Sequence, residues 1–337
     1  MRILRKRRPI AIAAASLLLS ACGSAPAAAP LITGVPSASI EVPLSSVGCT
    51  TSGTCLAVGA SNRLGGLSTV AEYRGTRGPW HALAAPVAPS ARIEAISCAA
   101  TICLVGGAQP AGTFLWRFDA TSHTLSPLAA PAAAQDVRAL SCASDSTCAL
   151  VDSTSVVGPA RLAFTSDAGA TWTTPVAMPW TQNATVTALS CSAATCLVAA
   201  SATTSVQLET TSDAGATWTS LPASSTWRSL GDLTCWSTYC AALAVGDGAA
   251  LVRSRDFGAT WTTLALEAST RAIACSDLTH CVVAGQTPSG QGSLARVLKR
   301  RVHALTLAYV PEPLIGAACA KHTCVAIGAS TLVALSN

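Results

Sequence analysis

Cysteine is the residue type with the clearest chemical potential in this chain. Fourteen of the 15 cysteines form close pairs whose members lie five or six residues apart. A pair of thiols can bind a metal ion or close a disulfide, but a structural zinc site needs four ligands, so each pair would require two more nearby. The pairs are Cys49 and Cys55, Cys98 and Cys103, Cys142 and Cys148, Cys191 and Cys196, Cys235 and Cys240, Cys275 and Cys281, and Cys319 and Cys324.

The N-terminal residues decide between these two uses of the thiols. MRILRKRR is followed by the apolar run IAIAAASLLL and by LSAC at Leu19 to Cys22, the order of an export signal. LSAC resembles the bacterial lipobox, which implies acylation of Cys22; either Sec or twin-arginine export is open. We therefore expect an extracytoplasmic protein, anchored to the bacterial cytoplasmic membrane by lipid, in which the cysteine pairs are disulfides and no metal or other cofactor is bound.

The charge balance argues against nucleic acid as a partner. The first eight residues contain five of the 21 basic residues and none of the 16 acidic ones, so the remainder has 16 of each. A chain without a net positive charge has no electrostatic attraction to a phosphate backbone. No later segment reaches the roughly 18 consecutive apolar residues typical of a membrane helix.

The cysteine pairs recur with a period that defines the folding unit. Successive pairs begin 49, 44, 49, 44, 40 and 44 residues apart, an average of 45. Each copy has an apolar stretch before the first cysteine, another after the second, an alternating stretch such as VQLETTS, and a stretch such as ATWTSLP. Short stretches rich in Val, Thr and Trp indicate strands. The pattern predicts an all-β, seven-bladed propeller with four-stranded blades and one disulfide hairpin per blade.

The last copy lacks a fourth strand, which indicates how the ring closes. We expect an N-terminal strand within SASIEVPLSS, just before the first cysteine pair, to complete the seventh sheet. The predicted organisation is a signal peptide at residues 1–21, an Ala/Pro-rich tether at 22–37 and the propeller at 38–337.

Three copies share a turn of one type. TSDAGATW, which occurs twice, and SRDFGATW resemble the Asp-box, also called the bacterial neuraminidase repeat. The chain therefore resembles the propellers of sialidase-like, sortilin-like and photosystem II assembly factor-like proteins. Asp can accept backbone N–H groups in such a turn, Gly supplies a positive φ, and Trp fills the space between blades, so a structural role is expected. The residues concerned are Asp167, Gly169, Trp172, Asp213, Gly215, Trp218, Asp256, Gly258 and Trp261.

Hydrolysis is the main catalytic alternative, and the residues offer little for it. The resemblance to sialidases implies an early RIP motif, but ARIEA has Glu94 in place of Pro, and none of the three Tyr lies in a convincing nucleophile context. A two-carboxylate glycosidase needs an acid and a base facing each other, and the available loop acids are Asp152, Asp247 and Glu267. We predict no catalytic residue, while keeping a glycoside hydrolase, sialidase-like or of another propeller type, as the alternative.

Binding residues are expected on the face opposite the cysteine hairpins. Trp180 and Trp227 with Arg228 lie in loops of consecutive blades there, and an exposed Trp beside Arg suits stacking on a sugar or gripping a peptide. The alternative is that both Trp rings cap sheet edges. The sequence thus predicts a monomeric binding or assembly module for a protein, peptide or glycan at the cell envelope.

Overall fold

The chain folds into seven sheets, each of four antiparallel strands, arranged as a propeller. The computed structural model describes residues 31–34, 43–60, 68–74, 80–84, 91–110, 112–132, 134–153, 159–179, 184–307, 309–320 and 323–336, and no helix occurs among them. The predicted all-β, seven-bladed fold is confirmed.

The strands follow one another in chain order within blades 1 to 6, and blade 7 takes its fourth strand from the N-terminal part of the chain. Blade 1 contains β2 (Ser46–Cys49), β3 (Cys55–Ala60), β4 (Ser68–Tyr73) and β5 (His81–Leu83), and blade 2 contains β6 (Arg92–Cys98), β7 (Ile102–Gln109), β8 (Gly112–Asp119) and β9 (Thr124–Leu128). Blade 3 contains β10 (Asp136–Cys142), β11 (Cys148–Ser153), β12 (Ala160–Thr165) and β13 (Val176–Ala177), and blade 4 contains β14 (Thr185–Ser192), β15 (Thr195–Ser201), β16 (Val206–Thr211) and β17 (Thr219–Leu221). Blade 5 contains β18 (Trp227–Trp236), β19 (Tyr239–Gly246), β20 (Ala249–Ser254) and β21 (Thr262–Leu266), and blade 6 contains β22 (Thr270–Asp277), β23 (His280–Gln286), β24 (Gly292–Leu298) and β25 (Arg301–Ala304). Blade 7 contains β26 (Gly316–Cys319), β27 (Thr323–Ile327), β28 (Thr331–Ser336) and β1 (Leu31–Gly34).

An N-terminal strand closes the ring, but it is not the segment expected. Strand β1 pairs antiparallel with β28, with Leu31 opposite Ala334 and Gly34 opposite Thr331. This strand lies within the range assigned to the tether, upstream of SASIEVPLSS. Leu44, near the end of that segment, is buried, and its N–H donates to the carbonyl of Ala329 as the chain approaches β2.

Small apolar side chains fill the spaces between the blades. Strand β11 is buried along its whole length, because its sheet is covered on both faces by the neighbouring blades. Seven apolar clusters follow the ring, each composed of residues from two adjacent blades. The first strand of every blade contacts those of both neighbours, so these seven strands surround the axis of the ring.

Every predicted cysteine pair is a disulfide. Each bridge joins the first strand of a blade to the second, with Cα–Cα distances of 4.0 or 4.1 Å. The cysteines oppose each other directly in the ladder, as Cys142 and Cys148 do. We call the side of the ring with these hairpin turns the cysteine face. Seven disulfides are characteristic of an oxidising, extracytoplasmic compartment.

The three repeated turns lie on the cysteine face and have the expected hydrogen bonds. Asp167 accepts hydrogen bonds at Oδ1 from the N–H of Thr171 at 2.8 Å and the hydroxyl of Thr165 at 2.7 Å. Gly169 has a φ of 88°. Asp213 and Asp256 repeat this pattern with Thr217 and Thr260. The Thr hydroxyl, followed by the Thr N–H, lowers the pKa of each Asp to about 2.

The tryptophans of these turns pack against interblade clusters. Trp172, Trp218 and Trp261 are each partly buried there. The turn N–H groups of Ala168 and Phe257 donate to carbonyls of the cysteine hairpins in their own blades. These contacts make the repeated turns structural elements of the cysteine face.

Candidate functional site

Several charged side chains lie on the opposite side of the ring, where the first strands begin. In five blades the first strand has a β-bulge near its start, which leaves one residue without a partner in the ladder. Bulges re-aim side chains and are common beside functional sites. The five unpaired residues are Glu94, Arg138, Thr187, Arg228 and Arg271. We call this side, which presents Arg92, Arg138, Arg161, Arg228 and Arg271, the arginine face.

A network of four charged side chains joins blades 2 and 3 on the arginine face. Arg92 contacts Glu94 at 3.2 Å and Asp136 at 3.0 Å, and Arg138 contacts Asp136 at 2.9 Å and Glu94 at 3.5 Å. Only 7% of the Asp136 side chain and 14% of the Arg138 side chain are exposed. Breaking such a buried arrangement by removing one partner is strongly unfavourable. The network therefore fixes the geometry of the face between these blades.

A second ion pair lies beside this network within blade 3. Arg161 binds Asp152 with both ends of its guanidinium group, at 3.0 and 2.5 Å, and the Asp152 side chain is fully buried. Burial raises the pKa of Asp152, although the hydrogen bonds and charge of Arg161 oppose this effect. Both oxygens of the Asp152 carboxylate are thus hydrogen-bonded to Arg161.

Two arginines of the face remain open to solvent. Arg228 is 67% exposed and lies 3.5 Å from Asp247, itself 81% exposed, so their attraction is weak. Arg271 occupies the corresponding bulge of blade 6, is exposed, and has no ion pair within the described part of the chain. Adjacent blades thus present two guanidinium groups that can bind a carboxylate or another oxyanion.

Asp232 lies farther along β18, at a second irregularity of that strand. The register shifts between Gly231 and Thr234, and Asp232 adopts a φ of 49°, unusual for a residue with a side chain. Its Oδ2 accepts the N–H of Ile273 in blade 6 at 2.8 Å. The side chain is solvent-accessible yet enclosed by surrounding strands, and this enclosure raises its pKa to about 6 despite the hydrogen bond. A strained acid with a raised pKa is typical of functional sites.

The structure brings only part of the predicted binding set to the surface. Trp227 is 6% exposed, begins β18, and packs edge-on against Trp261 with ring centroids 5.9 Å apart. This position corresponds to the alternative in which the ring caps a sheet edge, and such a buried ring cannot stack on a ligand. Arg228 beside it is exposed, and Trp180 lies outside the described residues.

The three loop acids considered for hydrolysis have different surroundings. Asp152 is buried against Arg161, Asp247 is exposed beside Arg228, and Glu267 is exposed in the turn before β22. Cys22 lies outside the described residues. No group of three or more His, Cys, Asp or Glu side chains in the described ranges is arranged to hold a metal ion.

A signal for the bulged residues was present in the sequence but was not used. Glu94, Arg138, Thr187 and Arg271 each stand four residues before the first cysteine of their blade, in RIEAISC, DVRALSC, TVTALSC and TRAIAC. A polar residue repeated at one position of an otherwise apolar strand indicates a side chain directed away from the core. In blade 5 Arg228 lies seven residues before Cys235, because the hairpin is two rungs longer between the cysteines and the bulge and the irregularity at Asp232 inserts one more residue.

Solved structures share the fold of this chain at low sequence identity. A structure of YCF48 bound to D1 peptide is 13% identical with a TM-score of 0.65, covering 93% of this chain and 97% of that one. YCF48 from Cyanidioschyzon merolae is 14% identical, also with a TM-score of 0.65, over 92% and 99% of the two chains. The GH74 xyloglucanase from Xanthomonas campestris is 12% identical with a TM-score of 0.63, over 91% of this chain and 54% of that one.

These similarities are at the level of architecture. No protein-family profile matches the chain, and a search of curated protein sequences finds no match either. The structural neighbours include a peptide-bound protein and an enzyme, so the shared propeller does not select a function. The described residues contain no helix that is long and apolar enough to cross a membrane.

Proposed function

We propose that this protein is a non-catalytic binding module of the cell envelope whose arginine face holds an acidic segment of a protein or peptide, or an acidic glycan. The observation that carries the proposal is the exposure of Arg228 and Arg271, each left unpaired by the bulge of its first strand, in adjacent blades. The other three arginines of the face are engaged by Glu94, Asp136 and Asp152 and position the surrounding strands. Two open guanidinium groups give specificity for carboxylates.

The proposed setting follows from the sequence. Acylation at Cys22 tethers a monomer to the membrane through an Ala/Pro-rich segment, and the repeated turns with Asp167, Asp213 and Asp256 resemble those of Asp-box propellers. Binding of a peptide by a propeller of this architecture has a precedent in YCF48 with D1 peptide. A tethered propeller with an open polar face suits capture of a partner that is itself bound to the envelope.

Binding to a defined acidic peptide tests the proposal. The full chain in nonionic detergent is titrated into fluorescent oligoglutamate, with oligolysine of equal length as the charge control. The double variant Arg228→Gln and Arg271→Gln should weaken oligoglutamate binding at least tenfold, because each charge-assisted contact contributes about 1.5 kcal/mol or more. Arg255→Gln, which removes an exposed cation from the cysteine face, is the matched control.

A glycoside hydrolase is the second candidate, favoured by the GH74 neighbours alone. The amide variants of Asp152, Asp247 and Glu267 distinguish it from the binding module. Oligoglutamate affinity should change little in the Asp247 and Glu267 variants, and no variant should differ in xyloglucan hydrolysis. Loss of a measurable hydrolysis in these variants, together with unchanged binding in the arginine double variant, would replace the binding module by the enzyme.

A further inference from the structure

A small cavity lies between blades 5 and 6, away from the arginine face. Its volume is about 130 Å³, and it is lined by Leu251, Arg253, Thr262, Thr263, Leu264 and Arg300. Leu251 pairs with Leu264 and Arg253 with Thr262 across β20 and β21, so these four residues form one continuous wall. Arg300 comes from blade 6. The volume is several times the roughly 30 Å³ share of one water in the liquid, enough for a compact polyatomic ion.

Only some of the hydrogen-bond donors of Arg253 have an acceptor in this wall. Its Nη1 donates to the carbonyl of Lys299 in the turn of blade 6, which fixes the guanidinium group between the two blades. Its Nε and Nη2 atoms are buried and have no hydrogen-bond partner within the described part of the chain. A buried donor without an acceptor is unfavourable, and for a charged group the penalty is larger. The wall therefore presents hydrogen-bond donors that lack an acceptor.

The charges around the cavity have one predominant sign. Blade 6 closes its outer hairpin with a two-residue turn, Lys299 and Arg300, between paired Leu298 and Arg301. Lys299, Arg300 and Arg301 are exposed, and the repulsion of Arg300, after burial, lowers the pKa of Arg253 while Asp277 opposes both. Asp277 is already engaged by the Thr279 N–H at 2.6 Å and by His280 at 2.8 Å. Two like charges beside empty space are balanced best by an anion.

We propose that this cavity binds a phosphate group through the guanidinium groups of Arg253 and Arg300. Planar guanidinium groups match the oxygen spacing of a tetrahedral oxyanion, and two of them neutralise its charge. The phosphate can belong to a soluble ion or ester, or to a phospholipid headgroup. Leu298 and Val302, exposed by 40% and 44% on either side of the basic turn, are the apolar neighbours that a lipid surface would contact.

Thermal unfolding in matched salts tests for the pocket. The full chain in nonionic detergent is melted in potassium phosphate and in potassium chloride of equal ionic strength and pH. Phosphate should raise the Tm of the wild type in a concentration-dependent, saturable manner, because a ligand that binds the folded state stabilises it. Arg300→Gln, a change in an exposed turn, should lower the apparent phosphate affinity at least tenfold. Arg255→Gln should retain it.

Flotation with vesicles separates the two sources of the phosphate group. Vesicles of phosphatidylcholine alone, or with added phosphatidylglycerol, are mixed with the wild type, Arg300→Gln and Arg255→Gln. Stronger binding to phosphatidylglycerol that is lost only in Arg300→Gln assigns the pocket to a lipid headgroup. A saturable phosphate effect without this difference assigns it to a soluble phosphate.

Two results would overturn the proposal that this cavity binds phosphate. The first is equal stabilisation by phosphate and chloride together with vesicle binding that Arg300→Gln does not change. The second is an equal loss of both signals in Arg255→Gln, which would indicate general attraction to a basic surface.

Discussion

Replacing Asp232 by Asn should stabilise the protein at neutral pH. The carboxylate is enclosed by the first strands, and this enclosure raises its pKa from the ordinary value of 3.8 to about 6. The ionised form is therefore disfavoured in the folded state. Asn keeps an oxygen that can accept the N–H of Ile273, the one hydrogen bond described for this side chain, without carrying a charge.

The size and pH dependence of the effect follow from that pKa. Taken in full, the pKa shift corresponds to a difference of about 3 kcal/mol in the free energy of unfolding at pH 7. The side chain remains accessible to solvent, which weakens the effect, so we expect Asp232→Asn to raise the free energy of unfolding by about 1 kcal/mol. The folded pKa lies above the unfolded one, so the folded state binds more protons between about pH 4 and pH 6. Wild-type stability therefore falls as pH rises through this window. Asp232→Asn lacks this loss, and the two proteins should converge below about pH 4.

Urea unfolding of both proteins at pH 4 and pH 7, with the disulfides intact, measures the difference. Asp247→Asn is the matched control, because that acid lies in the same blade but is 81% exposed. Asp247→Asn should change the free energy of unfolding little, because this exposed side chain makes only a weak ion pair. A lower free energy of unfolding for Asp232→Asn than for the wild type at pH 7 would refute the claim that ionised Asp232 destabilises the folded state. A difference from the wild type that is equal at both pH values would refute it too.

Three further predictions concern the scaffold and its anchor. Ser141→Ala should lower the free energy of unfolding by about 1–3 kcal/mol in urea, because the Ser141 hydroxyl accepts the buried N–H of Cys191 in the next blade at 2.8 Å; exposed Ser122→Ala should change it little. The wild-type Tm should fall as the pH is lowered from about 4 to 2, and it should fall less in Asp213→Asn. The reason is that a carboxyl with a pKa lowered to about 2 stabilises the fold only while it is ionised. An equal fall of Tm in both proteins would contradict this prediction. Cys22→Ser should leave the precursor uncleaved at this site and unlabelled by radioactive fatty acid, whereas normal maturation would exclude the lipobox interpretation.

The architecture could be predicted because it rests on local patterns repeated many times. The disulfide hairpin needs only two cysteines on neighbouring strands. The repeated turn needs only an Asp followed by Gly and Trp. The structure of each motif is therefore determined by a few residues close together in the sequence. Seven copies of such a unit leave few alternatives. The hydroxyl of Ser97, Ser141 or Ser190, each just before a cysteine, accepts the N–H of the first cysteine in the next blade. The same short motif therefore also aligns neighbouring blades, a role that only the assembled ring reveals.

The sequence does not locate the closing strand correctly, because strand propensity carries no information about the distance that the chain must cross between strands. Both LITG and SASIEV have residues suited to a strand. A fourth strand lies three interstrand spacings, roughly 14 Å, from the first strand of its sheet. The chain must cross a comparable distance between the outer edge of blade 7 and β2, which starts at Ser46. Residues immediately before Ser46 cannot occupy both places, so the upstream strand is selected.

Of the two alternatives for Trp227, the structure has the buried one, for a different physical reason. The repeat pattern assigns Trp227 to a loop between blades, but β18 begins at Trp227 itself and the bulge leaves Arg228 outside the ladder. The large ring gains most by burial in the cluster between blades 4 and 5, where it meets Trp261. One register irregularity thus buries the aromatic ring and exposes the neighbouring guanidinium group, and no sequence pattern of period two contains that information.

The two faces of the ring have opposite local properties, and this difference supports placing the partner on the arginine face. Disulfides, repeated turns and interblade hydrogen bonds hold the cysteine face, where the polar groups of the repeated turns mostly bind backbone or one another. At the other end of the same strands, bulges interrupt five of the seven first strands. Irregularities that reduce stability persist where they position functional groups on a rigid support. Open Arg228 and Arg271, at the bulges of the first strands of blades 5 and 6, have that arrangement.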